Sequence, residues 1–61
     1  MTKSEARRLL LFTVVEWIGD PDTGRLGTVV AIEKTGVYVR WNGVDSGRFL
    51  SWDDCRAIKI H

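Results

Sequence analysis

The segment Val37-Tyr38-Val39-Arg40-Trp41 alternates without a break. Val37, Val39 and Trp41 fall on one face, Tyr38 and Arg40 on the other. Period-two spacing of this kind predicts a strand with one face in a core. Leu26 to Glu33, rich in β-branched residues, predicts a strand just before it. Lys34-Thr35-Gly36 predicts the short turn between the two, with Gly36 in the left-handed position. Upstream, Leu11 to Ile18 predicts the first strand. The dense run of turn formers Gly19-Asp20-Pro21-Asp22-Thr23-Gly24 predicts the loop after it.

Asn42-Gly43 is the strongest hairpin signal in the chain, and Val44-Asp45-Ser46-Gly47 extends it into a longer loop. Arg48 to Ser51 predicts the fourth strand with its register open. Either Phe49, or Leu50 and Trp52, face the core, and a slip of one residue exchanges the two sets. Ser51-Trp52-Asp53-Asp54 reads as a capping box opening one helical turn at about Trp52 to Cys55. Arg56 to Ile60 predicts the last strand, with Ile58 and Ile60 on one face.

Residues 1–8 are polar and read as a flexible basic tail, in which Ser4 is the residue available to cap a short helix. Residues 9–61 then form the domain. Five short strands, with one helical turn before the last, predict an all-β fold. Closing them into a barrel hides their edges. A long first loop and a helical turn before the final strand is the element order of SH3-like barrels. Val29, Val39 and Ile58 are expected in the core, with Trp17, Trp41 and Trp52 as its large aromatics.

A chain of 61 residues is a single domain near the lower limit for folding unaided. Its stability is expected to be a few kcal/mol. Nine Lys/Arg against eight Asp/Glu leave a net charge of +1, well short of a dedicated duplex-DNA binder. The single cysteine, Cys55, excludes a disulfide framework and fits a reducing, cytoplasmic setting. Leu9 to Phe12 is too short an apolar run for a signal sequence or a membrane span.

Gly24-Arg25-Leu26-Gly27-Thr28-Val29-Val30-Ala31-Ile32 resembles the KOW motif, whose core is Gly-x-x-Gly-x-Val-x-x-Ile. Gly24, Gly27, Val29 and Ile32 fall on it. The resemblance implies an SH3-like barrel and contacts with RNA, ribosomes or polymerase. Val37 to Trp41, with a polar loop after it, also resembles Tudor-like and mind-bomb-type barrels. The trimethoprim-resistant dihydrofolate reductases are SH3-like barrels of similar length, and their catalytic strand reads Val-Gln-Ile-Tyr. Phe49-Leu50-Ser51-Trp52 stands at the matching place and keeps none of it, so that activity is not implied.

The residues suggest no catalytic chemistry. One His and one Cys fall short of a zinc site, which needs about four ligands. Asp20-Pro21-Asp22 opens like a calcium loop, but Ala31 stands where the bidentate glutamate belongs. Cys55 reads as a small buried hydrophobe, since His61 lacks a third group to orient it. Asp53 and Asp54 are adjacent and point apart, as suits a helix N-terminus. No phosphate-loop glycine motif is present. The expectation is a binding module with no metal and no cofactor.

Two ligand classes compete. Tyr38 and Arg40 on one outer face, with Arg48 and either Phe49 or Trp52 on the neighbouring strand, combine aromatic rings with guanidinium groups. Small barrels hold single-stranded nucleic acid in this way, and Arg25 and Lys34 extend the patch from loops. The same face, near the acidic loop Asp20 to Asp22, also suits a protein partner, as in an adaptor or inhibitor acting as a bacterial or phage accessory factor. The sequence does not separate nucleic acid from protein. An ordinary solvated sheet face, with arginine stems covering apolar surface, is the competing structural reading.

Overall fold

The computed structural model describes all 61 residues. The alternation at Val37 to Trp41 marks the centre of the fold. Strand β3 (Gly36–Trp41) buries Val37, Val39 and Trp41 and exposes Tyr38 and Arg40. On one side it pairs with β2 (Leu26–Ile32), Val29 opposite Val39. On the other it pairs with β4 (Arg48–Ser51), Val37 opposite Leu50 and Tyr38 opposite Phe49. Beyond β2 lie β1 (Val14–Trp17) and then β5 (Ile58–Ile60). The sheet is antiparallel throughout, in the order β4-β3-β2-β1-β5. It curls into a half-barrel, and a single 3-10 turn (Asp54–Ala57) precedes the last strand and packs against both edge strands, β4 and β5.

Val15, Val29, Val37, Val39, Cys55 and Ile58 are completely buried, with Trp41 and Leu50 nearly so. Covering a Val or Ile side chain contributes roughly 1.5–3 kcal/mol. Trp17 meets Trp41 edge to face, with ring centres 5.8 Å apart and planes at 88°. Trp41 alone of the three indoles is core; Trp17 and Trp52 pack against it half-buried.

The register of β4 is settled by the pairing of Leu50 with Val37. Leu50 faces inward and Phe49 outward. Trp52 lies beyond the strand end, where its indole N–H donates to the Lys34 carbonyl at 3.0 Å.

Several boundaries differ from expectation. The first strand starts at Val14 rather than Leu11, because the chain spends Leu10 to Thr13 on a turn. The Thr13 N–H donates to the Leu10 carbonyl at 3.3 Å, and Phe12 takes a positive φ of 69°. The helical turn sits at Asp54 to Ala57 instead of Trp52 to Cys55. Its N-cap is Asp53, which makes no side-chain cap bond, so the expected capping box does not form; Ser51 Oγ only accepts from the Asp54 N–H at 3.2 Å. β5 begins at Ile58, since Arg56 and Ala57 belong to that turn. Ile58 is buried, but Ile60 is exposed at the sheet edge.

Gly36 is not in a left-handed turn. It lies inside β3, where a β-carbon would collide with the Leu50 carbonyl and with Phe49 Cζ. Its requirement is close approach, not positive φ. Residues 1–8, expected as a flexible tail, include a helical turn, α1 (Lys3–Ala6). Thr2, not Ser4, caps it. Thr2 Oγ1 accepts from the Glu5 N–H at 3.2 Å, and Glu5 Oε1 accepts from the Thr2 N–H at 2.8 Å. The Thr2 backbone N–H on the carboxylate, first of all, holds the Glu5 pKa below its ordinary value. The turn is anchored because it buries Ala6 and carries Leu9 into the core.

Candidate functional site

The six sequence-predicted residues do not form one patch. Facing residues on paired strands share a side of the sheet, and Arg48 pairs with Val39. Arg48 is therefore on the concave side, while Tyr38, Arg40 and Phe49 are on the convex side. Trp52 is apart from both, over the Lys34 turn. The open register of β4 hid this division from sequence reasoning.

On the convex side, the Tyr38 and Phe49 rings lie 5.3 Å apart, tilted by 60°. Both are well exposed. The Phe49 ring lies over Gly36, which explains why a bare backbone is needed there. Arg40 is on the same face, two residues along, and makes no ion pair.

On the concave side, a cleft of about 290 Å³ opens between the loop after β1 and the loop after β3. Trp17, Trp41, Val44 and Leu50 form its apolar lining, and Phe49, at the β4 edge, borders it as well as the convex side. Arg25, Arg48 and Asp22 supply the charge. Arg25 lies 3.7 Å from Asp22, an exposed pair worth little. Arg48 has no carboxylate partner. Of the three indoles, only Trp52 donates its N–H within the molecule. The N–H groups of Trp17 and Trp41 have no internal acceptor, and neither is sealed away from solvent. The cleft thus combines aromatic surface with the Arg48 guanidinium, which has no carboxylate partner, and with the Arg25–Asp22 pair.

Sequence reasoning found Arg25 and Arg48 but placed Trp17 and Trp41 only in the core. The signal it lacked was spatial: Trp17 ends β1 and Trp41 ends β3, so both stand at the same rim. Gly27, opposite both Val15 and Trp41, leaves room for the indole to lie across the strand.

No group of three or more His, Cys, Asp and Glu side chains is placed to hold a metal ion. Cys55 is a free, buried thiol whose pKa is pushed up chiefly by burial. No helix is long and apolar enough to cross a membrane.

Comparison with protein-family models, curated proteins and solved structures finds no match to this chain. The class the structure defines is a five-stranded, antiparallel all-β half-barrel.

Proposed function

We propose that this chain is a non-catalytic binding module and that its concave cleft takes an extended, acceptor-rich peptide carrying acidic side chains. The observation that carries the reading is the cleft's polarity. The unpaired Arg48 guanidinium stands beside apolar aromatic surface, in a cleft lined by two tryptophans whose indole N–H groups have no acceptor within the chain. Extended peptides, proline-rich ones above all, expose backbone carbonyls and dock in aromatic-lined grooves at little entropic cost. An acidic side chain would pair with Arg48, which forms no competing ion pair. The likeness of residues 24–41 to KOW- and Tudor-like members of the SH3-like barrels supports a binding role, and a cytoplasmic setting suits its one free thiol. A bacterial or phage accessory factor fits this picture.

The test is a titration with a short acidic proline-rich peptide, followed by tryptophan fluorescence. Saturable binding, weakened about tenfold by Arg48→Ala, is expected. No binding, or binding indifferent to Arg48, sinks the reading.

A second reading rests on its own observation. The exposed Tyr38–Phe49 ring pair, with Arg40 beside it, offers stacking surface and one free cation to single-stranded nucleic acid. Placing Arg48 on the other side removes half the charge that face was expected to carry. The peptide reading is therefore preferred.

A further inference from the structure

The convex face carries a contiguous set of exposed apolar side chains. Phe12 is 75% exposed, Phe49 42%, Val30 41%, Val14 40% and Tyr38 38%. These residues are continuous. Phe12 and Val30 line one depression, Val30 and Tyr38 both flank Gly47, Tyr38 touches Phe49, and Val14 pairs with Thr28 in the same wall. Fully covering a large aromatic buries about 150–250 Å², so the five together offer on the order of 400 Å². That figure matches the largest apolar patch of an ordinary monomer, yet this molecule's whole surface is only 4234 Å².

Phe12 is also held at a cost. It occupies the third position of the Leu10–Thr13 turn at φ 69°, a place suited to glycine or asparagine. Its N–H is pinned to the Val29 carbonyl at 2.7 Å. A strained backbone that projects a bare phenyl ring into solvent is characteristic of a contact site. Beside the ring lies a depression of about 500 Å³, walled by Thr28, Val30, Arg40, Trp41 and the loop 42–45. Arg40 and Asp45 both line it, are both exposed, and neither has an ion-pair partner within the chain. The face thus carries a knob beside a hole and a cation beside an anion.

A two-fold contact places each residue of one copy against its complement on the other, and so requires a self-complementary surface of this kind. We infer that the convex face is the contact between two copies of this chain, Phe12 of each seated in the depression of the other and Arg40 of each facing Asp45 of the other. Net charge near zero sets up no long-range repulsion between copies. One cysteine cannot staple the chain internally, and association is one of the remaining supports for a core this small. The inference goes beyond the peptide-binding reading, and the two surfaces share Trp41, Val44 and Phe49 at their common border.

Sedimentation of the whole chain across a wide concentration range tests it. The wild type should form a concentration-dependent dimer. Phe12→Gly should weaken dimerisation at least about tenfold, while circular dichroism shows a fold at least as stable, because glycine accepts that φ. Arg40→Asp and Asp45→Arg should each dissociate the dimer, and the double exchange should restore it. A wild type that stays monomeric at every concentration overturns the inference, whether or not it binds an oligonucleotide or another protein through Arg40. So does a dimer unaffected by Phe12→Gly, or a charge exchange that fails to restore association.

Discussion

Trp41 lies across Gly27. A β-carbon at position 27 would stand 2.7 Å from Trp41 Cε3 and 2.7 Å from Val39 Cγ1. Both neighbours are buried, and neither is the loose end of a flexible chain. Gly27→Ala therefore forces the indole or the valine to move. Overpacking of this sort costs about 1–3 kcal/mol. Urea unfolding should show a lower midpoint with the slope unchanged. A wild-type midpoint would mean the glycine serves something other than this packing.

Ile58 joins the 3-10 turn to β5 and sits opposite Trp17. It is fully buried. Ile58→Ala should cost about 2–4 kcal/mol and leave much of this small domain unfolded, whereas Ile58→Val should cost about 0.5–1.5 kcal/mol and keep the fold. Circular dichroism melts of the two variants distinguish them. Equal losses would show that the cavity collapses and that position 58 is packed more loosely than it stands here.

Where the sequence was legible, a local rule and the global fold agreed. Val37, Val39 and Trp41 alternate, and all three are buried; Val29 and Ile58 follow suit. The all-β class and five strands were readable for the same reason. Legibility failed where tertiary contacts decide. Leu10, Leu11 and Phe12 look like the start of a strand, but Leu9 is drawn into the core beneath α1, and the chain must turn before β1 begins. Gly36 carries a turn signature, but its role is set by Phe49 across the sheet, which no local pattern reveals. The candidate site suffered most. A one-residue ambiguity in β4 put Arg48 beside Arg40, and the pairing of Arg48 with Val39 separates them by the thickness of the sheet.

Burial raises the pKa of Cys55 above the ordinary thiol value of 9.0, so the folded state favours the neutral thiol. A raised folded pKa gives a contribution that is fully present below the unfolded value and lost as pH rises through the folded one. The stability difference between wild type and Cys55→Ala should hold constant below about pH 9 and shrink at higher pH. Taking the difference cancels what the two proteins share. A difference that stays flat to strongly alkaline pH would show that the thiol is not desolvated.

The final prediction uses salt to tell the two faces apart. Single-stranded nucleic acid releases counterions as phosphates are neutralised, and log affinity falls with log salt by about 0.7 per phosphate. The convex face offers one free cation, Arg40, so a strand bound there should show a slope near −0.7. Arg40→Ala should abolish the slope. Tyr38→Ala should lower affinity by about 1–3 kcal/mol at every salt concentration, because stacking is not ionic. The concave cleft offers Arg25 and Arg48, and a strand there should show a slope near −1.4, unmoved by Arg40→Ala and halved by Arg48→Ala. An acidic peptide in the cleft should also weaken with salt, respond to Arg48→Ala and ignore Tyr38→Ala. Oligothymidylate and the acidic peptide, titrated against wild type, Tyr38→Ala, Arg40→Ala and Arg48→Ala, give distinct patterns for these cases. Peptide binding that depends on Tyr38 rather than Arg48 would move the site to the convex face and remove the cleft from consideration.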